Sequence, residues 1–247
     1  MIKRPNIITI AGFDPSGGAG VLADVKTFEA HRCNGFAVQT ANTIQTEDDL
    51  LSVNWVDEAL IKDQLQTLCN RYAIQGVKIG LVPSLSFMLD ILPIVRDVNK
   101  KLIIVWDPIL SASAGFDFKH DLAQLAEVLS KVDYITPNWN EIKQLSGNND
   151  SLQGAHALAE FTQVYLKGGH NEGDLGKDYL FNENGKRSFN PKAGKYFEKH
   201  GSGCVFSSAL ISNLLRGYPT QKAVLKSKRY IEEFLKSDSS KLGKHKR

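Results

Sequence analysis

The stretch Ile7–Gly20, IITIAGFDPSGGAG, joins a short apolar strand to a glycine-rich loop that opens a helix. Ile7–Ala11 is typical of a buried strand, and apolar residues then recur at helical spacing from Val21 to Phe28. The loop is not a Walker A loop, and its glycine spacing does not fit a dinucleotide fingerprint. It predicts either a loop whose backbone approaches a ligand closely or a plain strand-to-helix turn.

The same alternation continues along the chain. Further strands are predicted at Phe36–Thr40, Val77–Leu81, Leu102–Trp106, Tyr134–Thr136 and Val164–Lys167. Helices are predicted from near Asp57, from about Ser84 with a kink or early break at Pro93, over Leu122–Leu129, over Leu152–Phe161, over Val205–Leu215, and from Pro219 to about Leu235. Apolar strands separated by helices imply an α/β fold with a parallel sheet covered on both faces.

A different pattern follows the last of these parallel strands. Asn184-Gly185 lies between the strand patterns Asp178–Phe181 and Lys186–Phe189. Both turn positions tolerate positive φ, so the pattern predicts a hairpin. The mostly parallel sheet is therefore expected to carry an antiparallel edge.

Composition limits the class of protein. The 247 residues are 42% hydrophobic and 23% charged, which favours one domain over residues 1–240. No apolar run reaches the roughly 18 residues of a spanning helix, and no signal peptide is expected. Three cysteines without metal-type spacing favour the cytoplasm. The basic tail at 241–247 is interpreted as a frayed, solvated end, because no aromatic residues interleave with its charges, and no nucleic-acid or membrane partner is expected.

Candidate functional residues follow the predicted strands. In a parallel sheet, ligands bind outside the carboxyl ends of the strands, so these groups are expected to converge on one cleft. The groups are Gly12–Gly20, Asn42–Thr46, Gly80–Val82, Asp107-Pro108, Asn138 with Glu141, and Lys167–His170.

The run His200-Gly201-Ser202-Gly203-Cys204 precedes the predicted helix Val205–Leu215. Unpaired N–H groups at the positive end of that helix suit an anion, above all a phosphate. Cys204 is expected to favour its thiolate there, which would make it a candidate base. The alternative is a flexible loop followed by a buried cysteine.

Charged residues at the strand ends have both functional and structural interpretations. Asp107 and Glu141 are candidate Mg²⁺ ligands or helix caps, and Asn138 orients the same waters or forms a turn. Lys167 ends an apolar strand, which favours contact with a phosphate. Asp24 bonds a ring nitrogen or amine, or complements a helix dipole. None of the six histidines is assigned a catalytic role.

Taken together, several motifs resemble one kinase family. They occur in the order Ile10–Gly20, Lys78–Gly80, Asp107-Pro108, Thr136–Asn138 with Glu141, Lys167–His170 and Gly201–Cys204. This set is similar to the hydroxymethylpyrimidine/phosphomethylpyrimidine kinases of thiamin biosynthesis, in the ribokinase-like superfamily. The resemblance covers roughly residues 5 to 235.

The resemblance implies a three-layer α/β/α sandwich that binds ATP and Mg²⁺ and phosphorylates 4-amino-5-hydroxymethyl-2-methylpyrimidine and then its monophosphate. A homodimer is expected. The implied pyrimidine pocket contains Gly12, Asp24, Gln45 and Leu81. The implied phosphate and magnesium region contains Asp107, Asn138, Glu141, Lys167 and Gly169. Gly201, Ser202, Gly203 and Cys204 match the anion hole, with the cysteine at the position of the base.

Two departures from the family pattern stand out. Val205 replaces the usual threonine, which removes one hydroxyl contact to phosphate, and Ser111–Ser113 lacks a lysine that relatives often carry. Three other functions remain open. The first is a pyridoxine/pyridoxal kinase of the same superfamily, the second a non-catalytic pyrimidine-binding protein, and the third a redox role for Cys204.

Overall fold

The strands of the computed structural model, which describes residues 4–110, 122–171 and 173–246, belong to one sheet. In chain order they are β1 (Asn6–Phe13), β2 (Asn34–Gln45), β3 (Leu50–Trp55), β4 (Gly76–Ile79), β5 (Ile103–Trp106), β6 (Tyr134–Ile135), β7 (Gln163–Leu166), β8 (Asp178–Asn182) and β9 (Gly185–Phe189). The order across the sheet is β3-β2-β1-β4-β5-β6-β7-β8-β9. The six strands from β2 to β7 in that order run parallel, so their carboxyl ends share one edge.

Both outer edges of the sheet are antiparallel. The predicted hairpin β8–β9 is confirmed, with Gly185 at φ +94° after the turn. A second hairpin, β2–β3, was not predicted. It forms because β2 continues past Thr40 to Gln45, so most of the loop predicted at Asn42–Thr46 is strand. The outer half of β2 therefore carries Gln45 to the carboxyl edge of the sheet.

Helices cover the sheet on both faces. They are α1 (Gly20–Ala30), α2 (Glu58–Arg71), α3 (Leu85–Val98), α4 (Leu125–Lys131), α5 (Trp139–Ser146), α6 (Ser151–Leu158), α7 (Ser202–Leu215) and α8 (Thr220–Leu235). One layer contains α1, α7 and α8, and the other contains α2 to α6. In β1, Ile8 and Ile10 face the second layer and Ile7 faces the first, which is why both faces of this strand carry apolar residues. This is the predicted three-layer sandwich.

Two helices differ from their predictions. A kink or an early break was predicted at Pro93; the early break is absent, because α3 continues to Val98 with Pro93 exposed, where water can hydrate the carbonyl group that the proline leaves unpaired. The short helix α5 was not predicted, although Ile142 and Leu145 are buried one turn apart. No helix in the described ranges is both long and apolar enough to span a bilayer.

The predicted fraying of the basic tail is wrong for residues 241–246. A ring contact joins His245 to Phe234, with 5.1 Å between the centroids, and His245 Nδ1 lies 3.0 Å from the Tyr230 hydroxyl. A Cβ atom at Gly243 would lie 2.3 Å from the Phe234 ring, so the chain crosses that ring closely. These contacts hold the segment against α8.

Candidate active site

The carboxyl edge of the parallel strands opens into a cleft of about 510 Å³. The convergence predicted from the strand ends is found here, because every predicted site residue except Asp24 lines the cleft. These residues are Gly12, Gln45, Leu81, Asp107, Asn138, Glu141, Lys167, Gly169, Gly201, Ser202, Gly203 and Cys204.

The first glycine-rich loop, Gly12–Gly20, and the second, Gly201–Cys204, contact each other through their main chains. Gly20 has φ +57°, and a Cβ atom there would lie 2.2 Å from the Gly12 carbonyl oxygen. Gly201 has φ +69°, and its Cβ would lie 2.1 Å from the Gly18 carbonyl oxygen. Only glycine fits at either position, because a side chain would collide with backbone and the left-handed conformation would be strained. The floor of the cleft is therefore built from backbone.

Asp14 connects the two loops. Its carboxylate is buried and accepts hydrogen bonds from the N–H groups of Ser16 and Ala19, each at 2.8 Å. Its Oδ2 also lies 2.9 Å from Nε2 of His200, the residue before the second loop. Burial would raise the pKa of Asp14, but these hydrogen bonds hold it below its usual value. Asp14 and His200 were not predicted to be site residues.

The second loop, Gly201–Cys204, is the segment predicted to bind an anion and is called the cradle below. Gly201 precedes α7 and has no side chain that could cap the free N–H groups of the first turn. A Cβ at Gly203 would lie 3.1 Å from Lys167 Nζ and 3.4 Å from Asp107 Oδ2. The N-terminus of α7 thus meets a buried charge cluster across a gap of a few ångströms.

That cluster contains Asp107, Lys167 and Glu141. Lys167 Nζ lies 2.8 Å from Asp107 Oδ1 and 3.8 Å from Glu141 Oε2. Burial would raise the pKa of Asp107, but Lys167 and Lys78 hold it below its usual value. Burial raises the pKa of Glu141 to about 7, with Lys167 opposing and Asp107 adding to the rise. When all three groups are ionised, the cluster carries one surplus negative charge.

Asn138 and Glu141 also have a structural role. Asn138 Oδ1 accepts from the Glu141 N–H at 2.9 Å, and Glu141 Oε2 accepts from the Asn138 N–H at 2.7 Å. This reciprocal pair is a capping box at the start of α5. Both residues still line the cleft, so capping and ligand contact are compatible.

The apolar wall of the cleft contains Leu81. Leu81 packs on Ala41, and its carbonyl oxygen accepts from the Thr40 hydroxyl at 2.6 Å. A Cβ at Gly12 would lie 3.2 Å from Leu81 Cδ2, so a larger residue there would displace the leucine. With Gln45 on the same wall, this part of the cleft offers a flat apolar surface and one amide.

Cys204 does not have the electrostatics predicted for it. The side chain is 5% exposed, and burial raises its pKa to about 11. Lys78 and the Gly20 N–H lower the pKa, while Asp24 and Asp107 raise it further. The expectation that the helix N-terminus favours the thiolate is therefore wrong, because desolvation and two carboxylates outweigh it. At neutral pH the resting group is a thiol.

Asp24 lies behind the cleft and is fully buried. Its Oδ2 accepts from Thr9 Oγ1 at 2.6 Å and from Lys78 Nζ at 2.9 Å, and its Oδ1 accepts from Ser208 Oγ at 2.7 Å. The predicted hydrogen bond to a substrate ring is not supported, because the carboxylate is fully buried and does not line the cleft. The contact with Ser208 instead ties α7 to β1 and β4.

Lys78 belongs to the motif Lys78–Gly80, but no role was predicted for its side chain. Burial alone would lower its pKa, but the adjacent Asp24 carboxylate raises it above the usual value. Removing either partner would leave a buried charge, a change that costs roughly 3–5 kcal/mol. The signal was a lysine in the apolar strand Val77–Leu81, the same argument that identified Lys167.

The two departures from the family pattern fall in different places. Val205 is fully buried against Ala23 and Phe234, so its side chain packs in the core behind the cradle. Ser111–Ser113 lies outside the described residues.

A parallel sheet whose carboxyl edge holds an amide cradle, a buried lysine and two carboxylates defines a phosphotransferase of the ribokinase-like class. The fold agrees with solved structures of that class. The pyridoxal kinase from Staphylococcus aureus in complex with AMP-PCP and pyridoxal superimposes with a TM-score of 0.84 at 22% identity, over 98% of this chain and 92% of that chain. At that identity the likeness concerns the fold.

The chain belongs to the phosphomethylpyrimidine kinase family, whose sequence model matches residues 14–247. A hydroxymethylpyrimidine/phosphomethylpyrimidine kinase from Aquifex aeolicus is 34% identical over 96% of both chains. One from Staphylococcus aureus is 32% identical, over 94% of this chain and 88% of its own. The phosphomethylpyrimidine kinase structure from Clostridium difficile has a TM-score of 0.76 at 30% identity, over 93% of this chain and 99% of that chain.

The predicted resemblance is thereby confirmed. The chain is a kinase of thiamin biosynthesis in this family, and such kinases take ATP as co-substrate.

Proposed function

We propose that this chain uses ATP to phosphorylate the hydroxymethyl group of 4-amino-5-hydroxymethyl-2-methylpyrimidine, and then phosphorylates the monophosphate to the diphosphate. The observation that carries the proposal is the cradle Gly201–Cys204, which faces Lys167 and Asp107 across the gap beside Gly203. Phosphoryl transfer needs in-line positioning and charge neutralisation, and the free N–H groups and the Lys167 ammonium would contribute to both.

The proposed roles of the cradle residues follow from the bonds that form and break during phosphoryl transfer. In the first step the hydroxymethyl oxygen bonds to the γ-phosphorus, the bond to the bridging oxygen breaks, and ADP leaves. The N–H groups of Gly201–Cys204 and the Lys167 ammonium stabilise the charge on the transferring phosphoryl group. The fraction of Cys204 present as thiolate accepts the hydroxyl proton. In the second step the acceptor is already an anionic phosphate, so a base matters less.

The pyrimidine is assigned to the wall formed by Gly12, Gln45 and Leu81. The ring would lie on Leu81, over the space that Gly12 leaves open. The amide of Gln45 offers both a donor and an acceptor to the amino group and ring nitrogens. Asp24 would act at a distance, by holding α7 through Ser208.

Magnesium fits the carboxylates at the other end of the cleft. No cluster of three or more His, Cys, Asp or Glu side chains in the described ranges could hold a metal ion alone. Mg²⁺ usually takes one or two carboxylates and completes its shell with phosphate oxygens and waters. Asp107 and Glu141 match that donor set, and a cation would offset the surplus negative charge of their cluster. When bound, Mg²⁺ supplies charge neutralisation on the phosphates.

Glu141→Gln separates the capping role from the metal role. Glutamine can still accept from the Asn138 N–H, so the capping box and the fold are expected to persist. Loss of the charge is expected to lower kcat by about 10-fold to 100-fold and to raise the Mg²⁺ concentration for half-maximal rate. Steady-state rates against Mg²⁺ concentration measure this, with the surface variant Glu127→Gln as control. An unchanged Mg²⁺ requirement would contradict the metal role.

The same variant should change the pH dependence of stability in metal-free protein. The pKa of Glu141 rises from 4.5 to about 7 on folding, so the folded state holds its proton more tightly. This contribution to the free energy of unfolding is present below pH 4.5 and is lost as pH rises towards 7. Urea titrations across that window are expected to show a smaller decline in Glu141→Gln than in the wild type.

Product analysis by mass spectrometry tests the proposed reaction directly. Incubation with ATP, Mg²⁺ and the hydroxymethylpyrimidine is expected to give the monophosphate and then the diphosphate. The same assay with pyridoxal tests the related activity. Faster turnover of pyridoxal, or tight pyrimidine binding without ADP release, would overturn the proposal.

We also propose that the chain forms a homodimer and that it works in a reducing compartment. Ile44, Leu51 and Trp55 are 57%, 73% and 43% exposed on the β2–β3 hairpin, an apolar edge that a second copy could cover. The three cysteines are free and buried, as expected for the cytoplasm. Light scattering of the purified chain measures the first point.

A further inference from the structure

A segment after α8 contacts the two glycine-rich loops that border the cleft. This segment, residues 237–246, is called the strap below. It is attached at its far end by Tyr230 and Phe234 of α8, which contact His245. The proposed reaction uses none of its residues.

Lys199 holds the near end of the strap. Lys199 is 5% exposed, and its ammonium donates to the Asp238 carbonyl oxygen at 2.8 Å, to Asp238 Oδ1 at 3.0 Å and to the Ser240 carbonyl oxygen. Two of these acceptors are backbone groups, so the lysine fixes the path of the chain as well as one side chain. Lys199 itself stands two residues before Gly201, in the loop that leads into the cradle.

The strap contacts both glycine-rich loops. The carbonyl oxygen of Lys241 accepts from the His200 N–H at 2.9 Å, directly before the cradle. The side chain of Leu242 lies on Gly18, where a Cβ atom would be 2.9 Å from Leu242 Cδ2. One short stretch of chain therefore touches the two backbones whose contact forms the floor of the cleft.

A third contact is weaker. Lys241 Nζ lies 2.8 Å from Asp48 Oδ1, in the turn between β2 and β3, but the two side chains are 43% and 61% exposed. Exposed ion pairs of this kind contribute little. The attachment of the strap to the cleft thus depends on Lys199, the His200 N–H and Leu242.

We propose that the strap sets the spacing of the two glycine-rich loops for phosphoryl transfer, and that Lys199 is the positioning residue through which it acts. The inference rests on the proposed function of the cradle. Displacing a reacting group by about 1 Å can cost 100-fold in rate, so a cradle made of backbone needs an external brace. Lys199 borders the cleft, but its ammonium is bound by Asp238 and Ser240 of the strap. Its effect on the reaction therefore passes through His200 and Gly201.

Lys199→Met and Lys244→Met form a matched pair for the test. Both lysines pair with Asp238, but Lys244 is 72% exposed and lies away from the cradle. Lys199→Met is expected to lower kcat about 10-fold to 100-fold, with KM for the pyrimidine within about twofold of wild type. Lys244→Met is expected to keep wild-type kinetics. Hydrogen–deuterium exchange is expected to be faster at residues 14–20 and 201–204 in Lys199→Met only.

The outcomes separate a positioning role from a structural one. A lower melting temperature in Lys199→Met with wild-type kcat and wild-type exchange at both loops would overturn the proposal. If Lys199→Met does not fold, Leu242→Ala cuts the strap from Gly18 and is judged by the same two measurements. If the wild type forms no phosphorylated pyrimidine, the proposed function fails, and exchange at the two loops still decides whether the strap braces them.

Discussion

Lys167→Met is expected to lower kcat by about 10³-fold in both phosphorylations, because the Lys167 ammonium is the cation beside the cradle where charge develops on the transferring group. Both steps should suffer alike, since each transfers a γ-phosphoryl group. The variant also leaves Asp107 and Glu141 facing each other without their cation. We therefore expect it to be destabilised by roughly 3–5 kcal/mol. Steady-state rates with each acceptor, measured below the melting temperature, test this.

Lys177→Met is the control for that loss. Lys177 pairs with Asp174 at 2.9 Å, and both side chains are partly or largely exposed. The substitution removes a positive charge from a residue that does not line the cleft. The rates of both phosphorylations should therefore remain at the wild-type level. A loss below about 10-fold in a folded Lys167→Met protein would remove Lys167 from the reaction centre.

Cys204→Ala is expected to slow the first phosphorylation about 100-fold and the second by less than about threefold. The difference arises because only the hydroxymethyl acceptor has a proton to lose. The raised pKa of the thiol, about 11, adds a second signature. The wild-type rate of the first step should rise from about pH 7 to about pH 9 as the thiolate fraction grows, and the rate of Cys204→Ala should not.

Cys69→Ala controls for the loss of a buried thiol. Cys69 is 4% exposed in α2, away from the cleft, and should affect neither step. Equal losses in both half-reactions of Cys204→Ala would mean that the cysteine shapes the cradle instead of accepting a proton. Mass spectrometry of both products in one time course gives the two rates.

Strand β3 and helix α5 were not predicted, because neither has a clear hydrophobic pattern in the sequence. Strands buried on both faces have continuous apolar runs, and β1, β4, β5 and β7 were found for that reason. In β3 no residue is fully buried, and Leu51 points its apolar side chain to solvent. Such a strand has neither the continuous nor the alternating pattern. The eight residues of α5 are too few for a clear helical period.

In the site, too, features that depend on nearby sequence could be predicted, and features that depend on distant residues could not. A strand end is a local property, so Asp107, Glu141 and Lys167 could be assigned to one cleft edge. The state of Asp24 depends on Lys78, which lies 54 residues away, and on Ser208, which lies 184 residues away. The pKa of Cys204 depends on burial and on charges from β4, β5 and α1. Contacts between residues so far apart in the sequence cannot be predicted from local residue spacing.

Backbone contacts restrict Gly20 and Gly201 to glycine, whereas the wall that contains Gln45 and Leu81 is built from side chains. In the proposed function the phosphate would be bound by N–H groups, which are the same whatever side chains surround them. The pyrimidine ring would instead contact Gln45 and Leu81, which come from β2 and from the segment after β4. Substitutions on that wall can therefore exchange one hydroxymethylated aromatic ring for another while the transfer machinery stays intact.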